Sequence, residues 1–179
     1  MVFVFLADGF EIIEALAPVD MLTRAGIEVK TVGVTGKSVK SSCGVTVTAD
    51  ITADEFGFYD VEAIVLPGGM PGTLNLENSE VVQNAIDKAV GIDVPVCAIC
   101  AAPSILGHKG YLSGKEAICF PGYEEELEGA VISEKSVVRD GKFITAKGMG
   151  VATQFGLEIV SALLGSDTAD NIKRKIQAD

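Results

Sequence analysis

The residues best suited to covalent chemistry lie around position 100. The segment Val94–Ser104 reads VPVCAICAAPS, so an apolar run ends at Cys100, two alanines follow, and Pro103 suits the first turn of a helix. This is the layout of a nucleophile elbow, in which small neighbours let a side chain stand on a tight turn between strand and helix. A thiol at the start of a helix faces its positive end, which favours the nucleophilic thiolate. The pattern predicts a nucleophile at Cys100, and the alternative is a buried core cysteine.

The other cysteines carry weaker signals. Cys97 and Cys100 match the C-x-x-C pattern, but redox motifs of this kind place both thiols at the start of a helix, whereas Cys97 falls inside a predicted strand. A reversible disulfide between them is therefore the less favoured hypothesis, and we interpret Cys43 and Cys119 as incidental thiols. Because His108 is the only histidine, a zinc site of Cys/His composition is not expected.

Two further groups of residues could complete a site at the elbow. Pro67-Gly68-Gly69 follows a short apolar run, and adjacent glycines leave backbone N–H groups free to form an oxyanion hole; the alternative is a simple turn. Glu14 lies in the apolar stretch Ile12–Leu16. One interpretation points it into the same crevice, where burial would raise its pKa and let it donate a hydrogen bond to a thiolate. The other places it on the solvent face of an amphipathic helix.

No sequence motif indicates a cofactor. The chain lacks a phosphate-binding P-loop, and Gly148-Met-Gly150 comes too near the C-terminus to be followed by the second strand of a dinucleotide-binding unit. We therefore expect neither a cofactor nor a metal.

The elements that must position these residues alternate along the chain. Short β-branched runs alternate with longer segments of helical period, which predicts an α/β fold with a mostly parallel sheet and helices on both faces. Because ligands of such sheets bind outside the carboxyl ends of the strands, the residues above are expected to gather at one edge. The predicted strands are Val2–Leu6, Val29–Val34, Ala63–Leu66, Val94–Ile99, Ala117–Phe120 and the hairpin Val137–Arg139 with Lys142–Thr145. The predicted helices are Ile12–Ala25, Glu80–Val90, Pro103–Lys109, Val151–Leu164 and Asp167–Ile176. The alternative for the first of these is a short turn before Pro18 and the main helix after it.

Composition narrows the classes of protein. The 179 residues suit one domain over 1–179, and 48% hydrophobic residues are incompatible with a disordered chain. A net charge of −11 predicts no binding to nucleic acid or to anionic membranes. No apolar run is long enough for a membrane span, and the apolar N-terminus has no basic leader, so the expected location is the cytoplasm.

Taken together, these motifs resemble the ThiJ/PfpI superfamily, in particular the branch of the Parkinson-disease-associated protein deglycase and its bacterial relatives. The matching segments appear in the family's order and cover nearly the whole chain: Glu11-Ile-Ile-Glu14, Pro18-Val-Asp20, Arg24-Ala-Gly26, Val65-Leu-Pro-Gly-Gly69, Ala98-Ile-Cys-Ala-Ala-Pro103 and Gly148-Met-Gly150. The resemblance implies a flavodoxin-like three-layer sandwich and a homodimer. It makes Cys100 the redox-sensitive elbow nucleophile, Glu14 its buried carboxyl partner, and Gly69 and Ala101 the oxyanion-binding N–H groups; Arg24 matches a basic residue near the dimer interface.

The sequence also departs from the family's pattern. Many members have a histidine directly after the nucleophile, where this chain has Ala101, and others have one at the position of Phe120. His108 is poorly placed to reach the thiol, so a Cys-His-Asp/Glu triad is not predicted. Cys43 stands near an arginine position of relatives, which weakens any inference of anion binding there.

Three functions follow as hypotheses. The first is a glyoxalase- or deglycase-like enzyme acting on a small carbonyl substrate or a glycated protein, in which Cys100 attacks an α-oxoaldehyde or its early adduct. The second is a redox sensor or stress-response chaperone controlled by oxidation of Cys100. The third, an amidotransferase- or protease-like hydrolase, needs a histidine beside the thiol and ranks last.

Overall fold

A seven-stranded sheet forms the centre of the molecule in the computed structural model, which describes residues 1–178. Its strands are β1 (Val2–Leu6), β2 (Val29–Gly33), β5 (Ile51–Thr52), β6 (Ala63–Leu66), β7 (Val96–Ile99), β10 (Val137–Asp140) and β11 (Phe143–Ala146). Their order in the sheet is β10-β11-β7-β6-β1-β2-β5. All neighbouring strands are parallel except β10, which runs antiparallel to β11.

Two small sheets lie outside this centre. One is the antiparallel pair β3 (Ser38–Lys40) and β4 (Thr46–Thr48), and the other is the parallel pair β8 (Glu116–Ala117) and β9 (Val131–Ile132). The turn of the β3–β4 hairpin contacts the loop after β1, where the N–H of Ser42 donates to the carbonyl of Phe10 (2.8 Å). The β3–β4 hairpin therefore lies beside the carboxyl end of β1.

Helices cover both faces of the central sheet. The helices α1 (Ile12–Arg24), α5 (Ala152–Leu164) and α6 (Ser166–Lys175) share one core cluster, and α2 (Gly72–Glu77), α3 (Glu80–Gly91) and α4 (Pro103–His108) share the other. Strand β1 shows why both layers form: Val2, Val4 and Leu6 pack into the first cluster, while Phe3 and Phe5 pack into the second. The predicted α/β architecture of three layers is confirmed.

Several predicted elements differ from those observed. Helix α1 continues through Pro18 without a break, because Pro18 is buried where α1 crosses α5 close to Gly156. Packing at this crossing offsets the missing backbone donor of the proline. The strand expected over Ala117–Phe120 stops at Ala117, since the N–H of Ile118 donates to the Thr145 hydroxyl (3.0 Å) instead of to a neighbouring strand.

None of the helices described over residues 1–178 combines the length and apolar character that crossing a bilayer requires.

Candidate active site

Cys100 lies directly after β7 in a backbone conformation that few side chains adopt. Its φ is +66°, in the left-handed region, and the residue is half-buried. Hydrogen bonds hold it from two sides: its N–H donates to the carbonyl of Ala146 (2.9 Å), and its carbonyl accepts from the N–H of Phe120 (2.8 Å). A strained residue fixed in this way at a strand end has the geometry of a nucleophile elbow.

Glu14 approaches the elbow from the first turn of α1. The side chain is 1% exposed, and its Oε2 accepts a hydrogen bond from the N–H of Gly68 (2.9 Å). It also accepts from the N–H of Met149 and shares a hydrogen bond with the Cys100 thiol. Burial outweighs these hydrogen bonds and raises the pKa of Glu14 to about 7. Glu14 is therefore buried beside the thiol and does not lie on the solvent face of its helix.

Gly68 keeps the carboxyl group and the thiol close together. A Cβ at this position would lie 2.6 Å from Cβ of Cys100 and 2.7 Å from Oε2 of Glu14, so only glycine leaves room for both. Gly69 follows with φ +91°, and a Cβ there would meet the backbone of the loop after β1 at 2.4 Å from the N atom of Glu11. Both positions therefore require glycine, for the turn and for the close approach of the neighbouring groups.

Two backbone donors face the sulfur. The N–H groups of Ala101 and Gly69 both donate to Sγ of Cys100, one from the elbow and one from the loop after β6. The structure thus brings together the four residues predicted as the site: Cys100, Glu14, Gly69 and Ala101. Donors arranged beside a nucleophile can stabilise negative charge on the sulfur or on an oxygen bound to it.

The surroundings of the Cys100 thiol oppose the acidity that the sequence predicts. Burial, together with the charge and hydrogen bond of Glu14, raises the pKa of the Cys100 thiol to about 12, and the N–H groups of Ala101 and Gly69 only partly oppose this. The helix after the elbow, α4, has only six residues, so its dipole is small. Near neutral pH the pair carries its negative charge on Glu14, and the shared hydrogen bond provides a direct route for the thiol proton to the carboxylate.

The remaining cysteines lie outside this arrangement. Cys97 is fully buried in β7, and burial raises the pKa of its thiol. Cys119 is buried and Cys43 is exposed, and all four cysteines are free thiols. A Cys97–Cys100 disulfide is therefore absent.

His108 lies at the end of α4 between two carboxylates. Its Nδ1 contacts Oε1 of Glu77 (2.5 Å) and its Nε2 contacts Oε2 of Glu126 (2.8 Å), so both ring nitrogens are engaged away from the thiol. Arg24, matched to an interface position, is half-exposed and pairs with Asp20 one helical turn away (2.8 Å). Within residues 1–178, no cluster of three or more His, Cys, Asp or Glu side chains is arranged to hold a metal ion.

Sequence reasoning missed two backbone contributions to the site. The N–H of Met149 supports Glu14, and the N–H of Phe120 fixes the elbow carbonyl. The glycines of Gly148-Met-Gly150, which follow β11, were a signal for the first, since glycines beside a residue let its backbone N–H approach a partner closely. The second had no signal, because it depends on a tertiary contact of a loop.

Comparison of the sequence with known proteins identifies a family. A family model described as DJ-1/PfpI matches residues 1–162. The chain is 35% identical over 177 residues to the Parkinson disease protein 7 homolog of Danio rerio, covering 95% of this chain and 93% of that protein. It is 32% identical over 174 residues to Protein dj-1beta of Drosophila melanogaster, covering 96% and 93% respectively.

Solved structures agree on the fold. The oxidized DJ-1 of Toxoplasma gondii superimposes with a TM-score of 0.95 at 29% identity, covering 99% of this chain and 97% of that one. The DJ-1beta of Drosophila melanogaster gives 0.93 at 31% identity, also covering 99% and 97%. The expected flavodoxin-like fold is thereby confirmed. On the match to its family model and on its identity with these relatives, the chain belongs to the DJ-1/PfpI family.

Proposed function

We propose that the protein is a cysteine-dependent stress-protection enzyme that acts on α-oxoaldehydes or on their early adducts with protein side chains. The observation that carries this proposal is the hydrogen-bonded pair of Glu14 and Cys100, with the N–H groups of Gly69 and Ala101 at the sulfur. A carboxyl group whose pKa is about 7 can both take and return a proton at neutral pH. This pair supplies a base at a site where no histidine contacts the thiol, since both ring nitrogens of His108 are held by Glu77 and Glu126.

The first chemical step is addition to the aldehyde. Sγ of Cys100 bonds to the aldehyde carbon while its proton passes to the Glu14 carboxylate. The carbonyl electron pair moves onto oxygen, where the N–H groups of Gly69 and Ala101 can stabilise the negative charge until Glu14 returns the proton. The product is a hemithioacetal.

The later steps need only water. Glu14 removes the proton from the former aldehyde carbon and a proton is returned to the neighbouring carbon, which converts the hemithioacetal into a thioester of a hydroxy acid. Water then cleaves the thioester and restores the thiol. The net reaction, α-oxoaldehyde plus water to α-hydroxy acid, uses no external oxidant, because one carbon is oxidised and its neighbour reduced.

Consumption of methylglyoxal tests this proposal. The purified protein is expected to convert methylglyoxal to lactate, and Cys100→Ser is expected to abolish the conversion. Cys43→Ser serves as the matched control, because Cys43 is an exposed free thiol and is expected to leave turnover unchanged. Unchanged turnover in Cys100→Ser would exclude the mechanism.

A second candidate function, a redox sensor or a chaperone controlled by oxidation of Cys100, is favoured by the same donors. A sulfinate at this sulfur would accept hydrogen bonds from Ala101, from Gly69 and from protonated Glu14. After mild peroxide treatment, intact mass is expected to rise by two oxygens, and peptide mapping is expected to place both on Cys100. Oxidation spread evenly over the four cysteines would count against a tuned site.

We also propose that the chain forms a homodimer in the cytoplasm. The supporting observations are its family membership and two exposed apolar side chains, Ile13 of α1 and Val45 of the β3–β4 hairpin, which are 48% and 50% exposed. Sedimentation equilibrium is expected to give twice the 18.6 kDa chain mass. A monomer at micromolar concentration would overturn the dimer.

A further inference from the structure

An apolar pocket of about 310 Å³ lies next to the Glu14–Cys100 pair. The aromatic ring of Phe120, the side chain of Met149 and the residues Gly148 and Val151 contribute to its wall. Phe120 and Met149 are 48% and 53% exposed, so two large apolar side chains face solvent at this edge of the sheet. Neither side chain takes part in the addition step described above.

Backbone hydrogen bonds connect two residues of the pocket wall to the Glu14–Cys100 pair. The N–H of Phe120 donates to the carbonyl of Cys100 (2.8 Å), and the N–H of Met149 donates to Glu14. Gly148 lies between the two: a Cβ built on it would be 3.3 Å from the Phe120 ring and 3.9 Å from Oε1 of Glu14. Because Gly148 has no side chain, the space between the Glu14 carboxyl group and the Phe120 ring is left open.

The chemistry of the wall determines what it can hold. The side chains of Phe120 and Val151 have no hydrogen-bonding group, and the thioether of Met149 is only a weak acceptor. The one charged residue that lines the pocket is Lys147, which is exposed. A ligand that removes half-exposed apolar side chains from water lowers the free energy of the complex. Offset or edge contacts with the Phe120 ring further stabilise the binding of aromatic substituents.

We propose that Phe120 and Met149 form a subsite for the substituent of the carbonyl substrate, and that this subsite selects aryl and larger alkyl groups over methyl. The turnover test of this inference rests on the proposed function, whereas binding of the substituent at the subsite depends only on the pocket. A hydrophobic pocket discriminates by about 10-fold to 200-fold for each methylene-sized increment it covers. A phenyl group on this open wall is expected to gain at least about 10-fold.

The turnover test compares phenylglyoxal with methylglyoxal. The ratio of their kcat/KM values is measured for the unmodified protein and for Phe120→Gln, Phe120→Leu and Met149→Ala. Relative to the unmodified protein, the ratio is expected to fall about 10-fold in Phe120→Gln and several-fold in Met149→Ala, and to be largely retained in Phe120→Leu, which stays apolar. Ile92→Ala, which removes another exposed apolar side chain at the opposite end of β7, is the control and leaves the ratio unchanged.

A second measurement needs no turnover. Phenacyl bromide and bromoacetone alkylate a thiol by forming an S–C bond with loss of bromide, and they differ only in the phenyl or methyl group. The rate of Cys100 labelling is followed by intact mass, with Cys100→Ser as the blank and circular dichroism as the check on folding. The labelling ratio is expected to fall in Phe120→Gln as the turnover ratio does.

The two measurements separate the possible failures. If neither aldehyde is consumed but the labelling ratio depends on Phe120, the subsite stands and the proposed function is wrong. If both aldehydes are consumed and neither ratio changes in Phe120→Gln and Met149→Ala, the subsite is wrong and the proposed function stands. Retention of both ratios in a folded Phe120→Gln protein is the result that overturns this inference.

Discussion

Reactivity at the residue scale depends on how one negative charge is divided between Glu14 and Cys100. With Glu14 ionised, the thiol keeps its proton because burial and the adjacent carboxylate both oppose a second charge. When an electrophile forms a bond to the sulfur, the sulfur no longer has to carry a negative charge. The thiol proton can then pass to the Glu14 carboxylate without a free thiolate being formed first. A relatively basic thiol and a nearby carboxylate with a pKa of about 7 therefore suit reaction with bound substrate better than indiscriminate oxidation.

Gly68 gives the sharpest residue-scale prediction. Gly68→Ala places a Cβ 2.6 Å from Cβ of Cys100 and 2.7 Å from Oε2 of Glu14, so one of the two side chains must move. Displacement of about 1 Å at a reacting group is expected to lower methylglyoxal consumption by about 100-fold. Gly91→Ala, at the end of α3 with nothing within 4 Å of the added Cβ, is the matched control. Equal activity in the two variants would show that the Glu14–Cys100 contact does not matter for turnover.

At the scale of elements, His108 joins three segments that each position part of the site. Its carboxylate partners lie at the end of α2, which follows Gly69, and in the turn Glu124–Glu126, which follows Phe120, while His108 itself ends the helix after Cys100. The hydrogen bonds and charges of Glu77 and Glu126 raise the pKa of His108 above its usual value. A protonated imidazole satisfies both carboxylates, whereas a neutral one can donate to only one of them.

The stabilising effect of His108 is expected to depend on pH. A histidine whose pKa is raised by folding stabilises the protein fully below its unfolded pKa, and this contribution is lost as the pH rises through the folded value. Because the side chain is 35% exposed, the total effect is expected to be about 1 kcal/mol. Urea unfolding of the unmodified protein and of His108→Ala should therefore differ more at pH 6 than at pH 9. A difference that is the same at both values would contradict this role.

The sequence predicted the elements that local patterns define and missed those that depend on tertiary contacts. The run Ala63–Leu66 and the elbow at Cys100 were predictable because β-branched residues, small residues and Pro103 each carry a local signal. Helix α2 gave no such signal, since it has only six residues and exposes Leu74. The depth of burial of Glu14 was equally hidden, because the N–H groups of Gly68 and Met149 that receive it come from distant segments.

On the scale of the whole molecule, a chain with a net charge of −11 places one of its carboxyl groups in the core. Most acidic side chains lie at the surface, where partners lower the pKa of several, such as Glu55 beside Thr52. These groups lose stabilising interactions as the pH falls, whereas a buried carboxyl group loses stability as the pH rises, because only its neutral form is easily buried. The two kinds of group therefore give opposite slopes of stability against pH.

Glu14→Gln is expected to separate these slopes. Folding raises the pKa of Glu14 from 4.5 to about 7, so between these values the folded protein binds a proton that the unfolded chain does not, and the free energy of unfolding falls as the pH rises. At about 1.4 kcal/mol per pH unit, the loss amounts to at most about 3 kcal/mol by pH 7. Glutamine stays neutral, so the stability of Glu14→Gln relative to the unmodified protein is expected to increase from pH 4.5 to pH 7 and then level off.

Glu55→Gln is the contrasting control, since the pKa of Glu55 is lowered by hydrogen bonds from Thr52. Loss of this carboxylate is expected to flatten the acid side of the curve of stability against pH instead. Parallel curves of stability against pH for Glu14→Gln and the unmodified protein across this range would mean that folding does not raise the pKa of the Glu14 carboxyl group, and the proton-sharing pair with Cys100 would then have to be abandoned.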